Sequence, residues 1–178
     1  MPDRMNLYLS RMHALDAALC VSINRSSRYR WVRLPFRLVS RLGDGMFWYL
    51  VMLGILLADP EGGVLPCLHM LAAGLSGTLI YKWIKSRASR PRPYEVHQAI
   101  FLTGVPLDRF SFPSGHTLHA VAFTSVALVY YPGMGWLLLP FTLLVAISRP
   151  VLGLHYPSDV LAGAAIGAWI AWLSFMLV

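Results

Sequence analysis

The chain has 178 residues, of which 57% are hydrophobic and 13% are charged, and its mean hydropathy is +0.58. These values exclude a disordered chain and argue against an ordinary water-soluble domain. A net charge of +7 would suit nucleic-acid binding, but the apolar fraction favours a membrane protein, with membrane lipids rather than nucleic acid as partners.

The first 42 residues have a pattern of their own. Apolar residues recur there at helical spacing, at Leu9, Met12, Leu15 and Leu19, but Arg11 and Asp16 interrupt them and an arginine-rich stretch follows. An amphipathic helix in the headgroup layer fits this pattern better than a buried span. A signal peptide is not predicted, because a clean apolar stretch and a cleavage site are both missing.

Five membrane spans are predicted from intervals without charged residues, because a helix needs roughly 20 apolar residues to cross a bilayer. The intervals are residues 45–58, 62–81, 110–148 and 160–178. The first is short and must borrow Leu38, Val39 and Leu42 from the preceding segment. The third is long enough for two spans, divided by a turn at Pro132 and Gly133. A sixth span results if residues 7–23 also cross.

Counting these crossings predicts which polar segments meet. Residues 85–93, 113–116 and 148–159 all emerge on the same side of the membrane, because an even number of crossings separates them. We therefore expect an all-α transmembrane bundle that forms one domain over residues 1–178, with residues 1–42 as an interfacial segment. Cys20 and Cys67 both lie among apolar residues, and we interpret them as packing residues.

The three polar segments carry the residue types that bind and process a charged group. Their cations are Lys85, Arg87, Arg90, Arg92 and Arg149. Ser114 is a good N-cap, and Gly115 lets a ligand approach the backbone at a helix N-terminus, where free N–H groups attract anions. His155 and Asp159 are four residues apart on one helical face, so the carboxylate can hold the imidazole in one tautomer.

This combination indicates a phosphate site with acid–base and nucleophilic groups. Uncatalysed phosphate-ester hydrolysis is so slow that charge clamping alone would not suffice. His155 could attack phosphorus to form a phosphohistidine, while His116 protonates the departing oxygen and water then releases the phosphate. The alternative from a different class is a protein that binds lipid headgroups without catalysis.

Three motifs resemble a known family. Lys85-x6-Arg92-Pro93, Pro113-Ser114-Gly115-His116 and Ser148-Arg149-x5-His155-x3-Asp159 match the signatures of the type 2 phosphatidic acid phosphatase family in order and spacing. That family shares its site with vanadium haloperoxidases. The resemblance implies that His155 is the nucleophile, Asp159 its partner and His116 the general acid. It implies phosphate binding by Lys85, Arg92, Ser114, Gly115 and Arg149, with neither metal nor cofactor.

The resemblance leaves the substrate and the sidedness open. Undecaprenyl diphosphate is the first candidate substrate, because the compact helical form without extra domains resembles bacterial undecaprenyl diphosphate phosphatases. Phosphatidylglycerol phosphate and phosphatidic acid are the alternative substrates. Phosphotransfer to an acceptor other than water is a further possibility, and the oligomeric state is open. The positive-inside rule favours a cytoplasmic site, whereas the family implies an extracytoplasmic one in the bacterial inner membrane, which we prefer.

Four polar residues of the spans and loops match no motif position. His119 follows His116 by one helical turn and could tune it, although a packing role is favoured. His69 is interpreted as a helix-contact residue. Arg87 and Arg90 are assigned either to support of the site or to anchoring at the membrane interface.

Overall fold

The computed structural model describes residues 2–177, without the side chains of residues 2–5 and 9. Within this range the fold is all-helical, with no strand, as the sequence predicts. The helices are α1 (Pro2–Asn24), α2 (Arg30–Leu42), α3 (Met46–Ala58), α4 (Val64–Lys85), α5 (Pro93–Val96), α6 (Gly115–Tyr130), α7 (Gly135–Val151) and α8 (Pro157–Ser174). Short 3₁₀ helices at Arg25–Arg28 and Pro132–Met134 join α1 to α2 and α6 to α7.

The predicted spans fall on α3, α4, α6, α7 and α8, and the turn at Pro132–Met134 divides the long interval as expected. By length and apolar composition, α4 and the segment Pro132–Val151 can each cross a membrane, and α2 with α3 is a third candidate. That pair is bent by 57° at its break, so the residues that the first span was to borrow belong to a separate helix. The count of five spans stays a prediction, because α6 and α8 do not meet the same test.

Large apolar side chains cover the outside of the bundle. Leu57 of α3, Leu75 of α4 and Leu161 of α8 are 73%, 63% and 71% exposed, respectively. Water-soluble monomers rarely expose contiguous apolar surface of this kind, whereas lipid tails solvate it. The apolar exterior is therefore that of an integral membrane protein.

Helix α6 lies at the centre of the bundle and packs against α4, α7 and α8. Its buried positions include Leu118, Ala120 and Val126, each fully removed from solvent. Small side chains let the neighbouring helices approach closely, which is how helices associate inside a membrane. The N-terminus of α6 is thereby enclosed by the other helices at one end of the bundle.

Two glycines of α8 set the distance between α8 and α6. A methyl group added at Gly163 or Gly167 would lie within 2.5 Å of a backbone carbonyl oxygen of α6. Only glycine permits this contact, because it has no Cβ atom. The close approach brings the start of α8 to the start of α6, where the Ser114 N–H donates to the Asp159 carbonyl at 3.1 Å.

A sharp turn after α7 directs the chain back into this end of the bundle. Gly153 has a φ of +77°, a left-handed conformation that glycine adopts without strain. The buried Asn24 side chain holds the turn by donating to Val151 O at 2.9 Å and Phe101 O at 3.0 Å. His155 follows two residues later, so the turn fixes where its imidazole lies.

Helix α1 packs on this end of the bundle through one face. Asp16 accepts a hydrogen bond from the Ser158 N–H at 3.0 Å, and Cys20 is fully buried. Met12, Leu15 and Leu19, on the predicted apolar stripe, are more than half exposed. The stripe therefore faces outward, and the interfacial location of α1 stays a prediction; the side chain of Leu9 lies outside the described residues.

Candidate active site

A cavity of about 470 Å³ opens at the end of the bundle where the three polar segments meet. Six of the eight candidate site residues line it: Lys85, Arg92, Gly115, His116, Arg149 and His155. The other two, Ser114 and Asp159, lie behind its wall and are fully buried. The structure thus collects residues from α4, α6, α7 and the turns beside them around one space.

Arg92 and Lys85 form the cationic side of the cavity. The Arg92 guanidinium is almost fully buried, and its Nη1 donates to the Leu154 carbonyl at 2.7 Å. Its Nη2 and the Lys85 Nζ donate to the two carboxylate oxygens of Asp108, each at 2.7 Å. Pro93 begins α5 directly after Arg92, and its fixed φ suits the first position of a helix.

Arg149 contributes a third cation from the end of α7. It is 1% exposed, and its Nη1 donates to the Ser40 hydroxyl of α2 at 2.6 Å. Its Nε is buried without a partner among the described residues. An uncompensated guanidinium nitrogen is costly to bury, which makes Arg149 a strong candidate anion ligand.

His116 and Asp44 meet in the lining of the cavity. His116 is in the first turn of α6, and its Nε2 contacts a carboxylate oxygen of Asp44. Asp44 stands between Gly43 and Gly45 at the break between α2 and α3. The bend of this helix pair therefore places a carboxylate beside the candidate general acid.

His155 lies at the base of the cavity, 2% exposed. Its Nδ1 is 3.8 Å from Asp159 Oδ2, which exceeds hydrogen-bonding distance, and no described residue is its partner. Burial is the main reason that the pKa of His155 falls to about 3, and the charges of Arg149 and Arg92 act in the same direction. The imidazole is therefore neutral at physiological pH, the form that a nucleophile needs.

Asp159 is held by donors from three directions. Its Oδ2 accepts the Tyr156 N–H at 2.9 Å and the Ser111 hydroxyl, and its Oδ1 accepts Arg90 Nη1 at 2.6 Å. The carboxylate is fully buried in the first turn of α8, where negative charge is favoured. Its orientation is fixed before any contact with His155.

Ser114 and Gly115 form the N-terminus of α6. Ser114 is the N-cap residue, as expected, but its hydroxyl pairs with the Thr117 hydroxyl at 3.0 Å rather than capping an N–H group. Gly115 lines the cavity directly. Free backbone N–H groups at this position carry a partial positive charge toward the space between the cations.

The two arginines outside the motifs have different environments. Arg90 Nη2 donates to Asp16 of α1 at 2.7 Å, and its Nη1 donates to Asp159 and to the Ser158 hydroxyl. Burial lowers the pKa of Arg90, but the hydrogen bonds and charges of Asp16 and Asp159 outweigh burial and raise it. Arg87 instead lies over the exposed Trp83 ring at 4.4 Å, as an interface anchor would.

The remaining histidines of the bundle bridge helices. His119 Nδ1 lies 2.8 Å from the Gly115 carbonyl, and its Nε2 is 3.0 Å from the Thr78 hydroxyl of α4. His69 lies 3.0 Å from the Tyr130 hydroxyl and 2.7 Å from the Ser174 hydroxyl. Both contact patterns agree with a packing interpretation, although His119 also lines the cavity.

Asp44 and Asp108 are the two carboxylates in the cavity lining, and the sequence analysis did not identify either as a site residue. Each lies in a loop, outside every motif, and contacts motif residues only through the fold. The single signal in the sequence was the isolated position of Asp44 between two glycines. Within residues 2–177, no group of three or more His, Cys, Asp or Glu side chains is placed to hold a metal ion.

Fold and cavity together define a class: an integral membrane protein of helices with a cation-lined cavity at one end. The chain belongs to the PAP2 superfamily, whose family model matches residues 65–178. This range contains every motif residue named above. The segment before it, with α1, α2 and α3, supplies Asp16, Ser40 and Asp44 to the site.

Curated relatives match part of the chain. Undecaprenyl-diphosphatase BcrC of Bacillus subtilis is 36% identical over 110 residues, which cover 60% of this chain and 56% of that protein. A lipid A 1-phosphatase of Rhizobium johnstonii is 31% identical over 100 residues, covering 54% of this chain and 41% of that protein. The chain therefore spans about half the length of the curated relatives it matches.

Two solved structures share the fold over most of their length. LpxE of Aquifex aeolicus has a TM-score of 0.76 at 24% identity, covering 89% of this chain and 93% of that one. A transmembrane PAP2-type phosphatidylglycerolphosphate phosphatase of Bacillus subtilis has a TM-score of 0.66 at 22% identity, covering 94% and 86%. At these identities the likeness shows the fold alone, a transmembrane helical bundle, which confirms the predicted class.

Proposed function

We propose that this chain is a membrane phosphatase that hydrolyses the terminal phosphate of a lipid phosphate or diphosphate through a phosphohistidine at His155. The observation that supports this most is the convergence of Lys85, Arg92 and Arg149 with His116 and His155 around one cavity. Three cations balance a multiply charged phosphoryl group, and two imidazoles provide nucleophile and acid.

The shape of the cavity supports a lipid-linked substrate. It continues along α3, α4 and α6, where the apolar residues Trp48, Met52, Leu71, Leu75 and Phe123 line it. Such a wall suits an acyl or polyprenyl chain, while the charged end holds the headgroup. Undecaprenyl diphosphate is our first candidate, and the name of the relative BcrC agrees with it. Phosphatidylglycerol phosphate, phosphatidic acid and lipid A 1-phosphate are the alternatives.

In the proposed first step, the neutral His155 attacks phosphorus. Its Nδ1 is on the side of Asp159, which leaves Nε2 as the nitrogen directed away from that carboxylate. The new N–P bond forms as the bond from phosphorus to the leaving oxygen breaks, with charge on the phosphoryl oxygens balanced by Arg92 and Arg149. Asp159 then stabilises the positive charge that develops on the ring.

His116 is the proposed general acid for the leaving group. It donates a proton to the departing oxygen, and the contact with Asp44 keeps its ring in position. In the second step His116 takes a proton from water, which attacks phosphorus and breaks the N–P bond. Inorganic phosphate leaves and His155 is neutral again.

The decisive experiment replaces the nucleophile. His155→Ala should abolish phosphate release from a panel of lipid phosphates and diphosphates, whereas His69→Ala, on the same bundle but remote from the cavity, should keep most of it. Wild-type enzyme denatured at alkaline pH during turnover should carry a phosphoryl group that is stable in base and lost in acid, and His155→Ala should lack it. Unchanged turnover in His155→Ala would reject the mechanism, and absence of turnover in the wild type would favour a non-catalytic lipid-binding protein.

The proposed location is the bacterial inner membrane with the cavity on the extracytoplasmic side. Arg109 is exposed in the loop before α6, and Glu61 is exposed in the turn between α3 and α4 at the other end of the bundle. An impermeant thiol reagent should label Arg109→Cys in intact cells but Glu61→Cys only after the cells are opened. The buried Cys20 and Cys67 give little background, and the reverse labelling pattern would place the site in the cytoplasm.

A further inference from the structure

Asp108 binds two of the cations that are proposed to hold the phosphate. Its Oδ2 accepts a hydrogen bond from Lys85 Nζ at 2.7 Å, and its Oδ1 accepts one from Arg92 Nη2 at 2.7 Å. Charge-assisted bonds of this length are the strong kind. An incoming phosphoryl group would therefore compete with the Asp108 carboxylate for Lys85 Nζ and Arg92 Nη2.

The three side chains differ in how freely they can move. Asp108 is 32% exposed, whereas Lys85 is 9% and Arg92 is 1% exposed. Arg92 has other partners, because it also donates to the Leu154 carbonyl at 2.7 Å and to the backbone carbonyl of Asp108 at 3.1 and 2.9 Å. The carboxylate can turn toward solvent while the guanidinium stays in place.

Asp108 competes as a full negative charge at neutral pH. Burial raises the pKa of its carboxyl group, but the hydrogen bond from Lys85 and the charges of Lys85 and Arg92 prevail and hold the pKa below its usual value. Protonation would release the two cations only at a pH below the ordinary range for a carboxyl group. The competition is therefore present throughout the physiological range.

We propose that Asp108 is a built-in competitor that lowers the affinity of every anion for the phosphate site and so sets the affinity an anion needs to occupy it. This inference rests on the proposed function. Every ligand must first displace the carboxylate, so its apparent dissociation constant rises by the inverse of the fraction of sites already open. Phosphodiester headgroups carry one negative charge and surround the protein in excess. Their affinity for the cations is too low to displace the Asp108 carboxylate. A terminal phosphoryl group, with a charge of about −1.5 to −2, binds the cations strongly enough to displace it.

The test measures binding without turnover. Wild type, Asp108→Asn and the control Glu61→Gln are purified in a neutral detergent and titrated calorimetrically with inorganic phosphate and with short-chain phosphatidylglycerol, a phosphodiester. Glu61→Gln removes the same charge from an exposed turn far from the cavity. We expect Asp108→Asn to bind both ligands at least about tenfold more tightly, as for a site that is open one time in ten in the wild type, and Glu61→Gln to match the wild type.

A turnover assay provides the second arm. Phosphatidylglycerol should inhibit Asp108→Asn at mole fractions that leave the wild type unaffected. Asp108→Ser removes the same charge with a smaller side chain and should agree in direction, which excludes an effect of the amide itself.

Three results would overturn the inference: unchanged or weaker phosphate binding in both Asp108 variants, equal tightening in Glu61→Gln, or no phosphate binding in any protein. Failure of the proposed function has a different signature, in which Asp108→Asn binds phosphate more tightly although the wild type releases phosphate from no lipid.

Discussion

Two pairs of carboxylates near His155 are arranged in opposite ways. Asp159 and Asp16 lie outside the cavity lining and form the rear group, whereas Asp108 and Asp44 line the cavity and form the front group. In the rear group, Asp159 and Asp16 are 0% and 11% exposed and share the guanidinium of Arg90. In the front group, Asp108 and Asp44 are 32% and 36% exposed and stand in loops. The rear group is a closed network with its charges paired, whereas the front group binds residues that the substrate would contact. We therefore expect the rear group to hold Asp159 in position, and the front group to release its partners when a substrate binds.

The rear network should be the more sensitive of the two. Arg90→Ala leaves the buried Asp159 and the largely buried Asp16 without the cation they share. Breaking a buried pair costs about 3 kcal/mol, and we expect kcat to fall by roughly 10²- to 10³-fold as the geometry of Asp159 is lost. Activity and thermal unfolding of the purified variant measure both effects. The matched control is Arg87→Ala, which removes an arginine that contacts the Trp83 ring and should stay near wild type; equal losses in the two variants would contradict the distinction.

The front contact of His116 should have a smaller effect that depends on the substrate. Asp44→Asn removes the charge beside the general acid, and we expect kcat to fall by about 10- to 10²-fold with little change in KM. The loss should be larger for a lipid monoester, whose alkoxide leaving group needs a proton, than for a diphosphate, whose leaving group is a phosphate. Asp59→Asn, at the other end of the bundle beside Tyr131, is the control. The same loss for both substrate types would rule out a role in acid catalysis.

The carboxylate of Asp16 in α1 should contribute to activity mainly through Arg90. Asp16→Asn keeps an oxygen for the Ser158 N–H but loses the ion pair, so we expect a decrease in kcat of about tenfold or less. Because Asp16 and Arg90 act in one network, the double variant Asp16→Asn with Arg90→Ala should be no slower than Arg90→Ala. Additive losses would mean that Asp16 supports the site by a second route besides Arg90.

The smallest expected effect concerns the pH profile: kcat/KM should show no decline on the acid side that reports protonation of His155. Because the pKa of His155 is lowered to about 3, the ring is neutral above that value and gains a proton only as the pH falls through it. The value of kcat/KM, corrected for the second ionisation of a phosphate monoester near about pH 6, should therefore be flat on the acid side down to about pH 5. A decline centred near pH 6.5 in wild type would show that His155 is more hydrated than its 2% exposure implies.

The sequence was informative wherever the chemistry follows residue type and short spacing. His155 and Asp159, one turn apart, and the segment 113–116 before a helix could be assigned candidate roles without coordinates, because their geometry is set locally by the helix. Span counting then predicted that the three motif segments share one side, and the cavity contains all three. The interaction assigned to His155 and Asp159 was predicted less well, since 3.8 Å separates the two groups and Ser111, Tyr156 and Arg90 occupy the carboxylate.

The pairings across the fold were beyond sequence reasoning. Arg90 and Asp16 are separated by 74 positions, and which of several arginines meets which carboxylate depends on how α1 lies against α8. Asp108 and Asp44 reach the cavity because a loop folds over it and because α2 and α3 bend, and neither event leaves a periodic signal.

By itself, the sequence determined the class of protein and the residue types available for phosphate chemistry. It also indicated that the three polar segments gather at one end of the bundle. These follow from hydropathy and local spacing, which act along the chain. Only the tertiary structure decided which charges neutralise one another, because electrostatic partners are selected by distance in space and burial, and both come from helix packing.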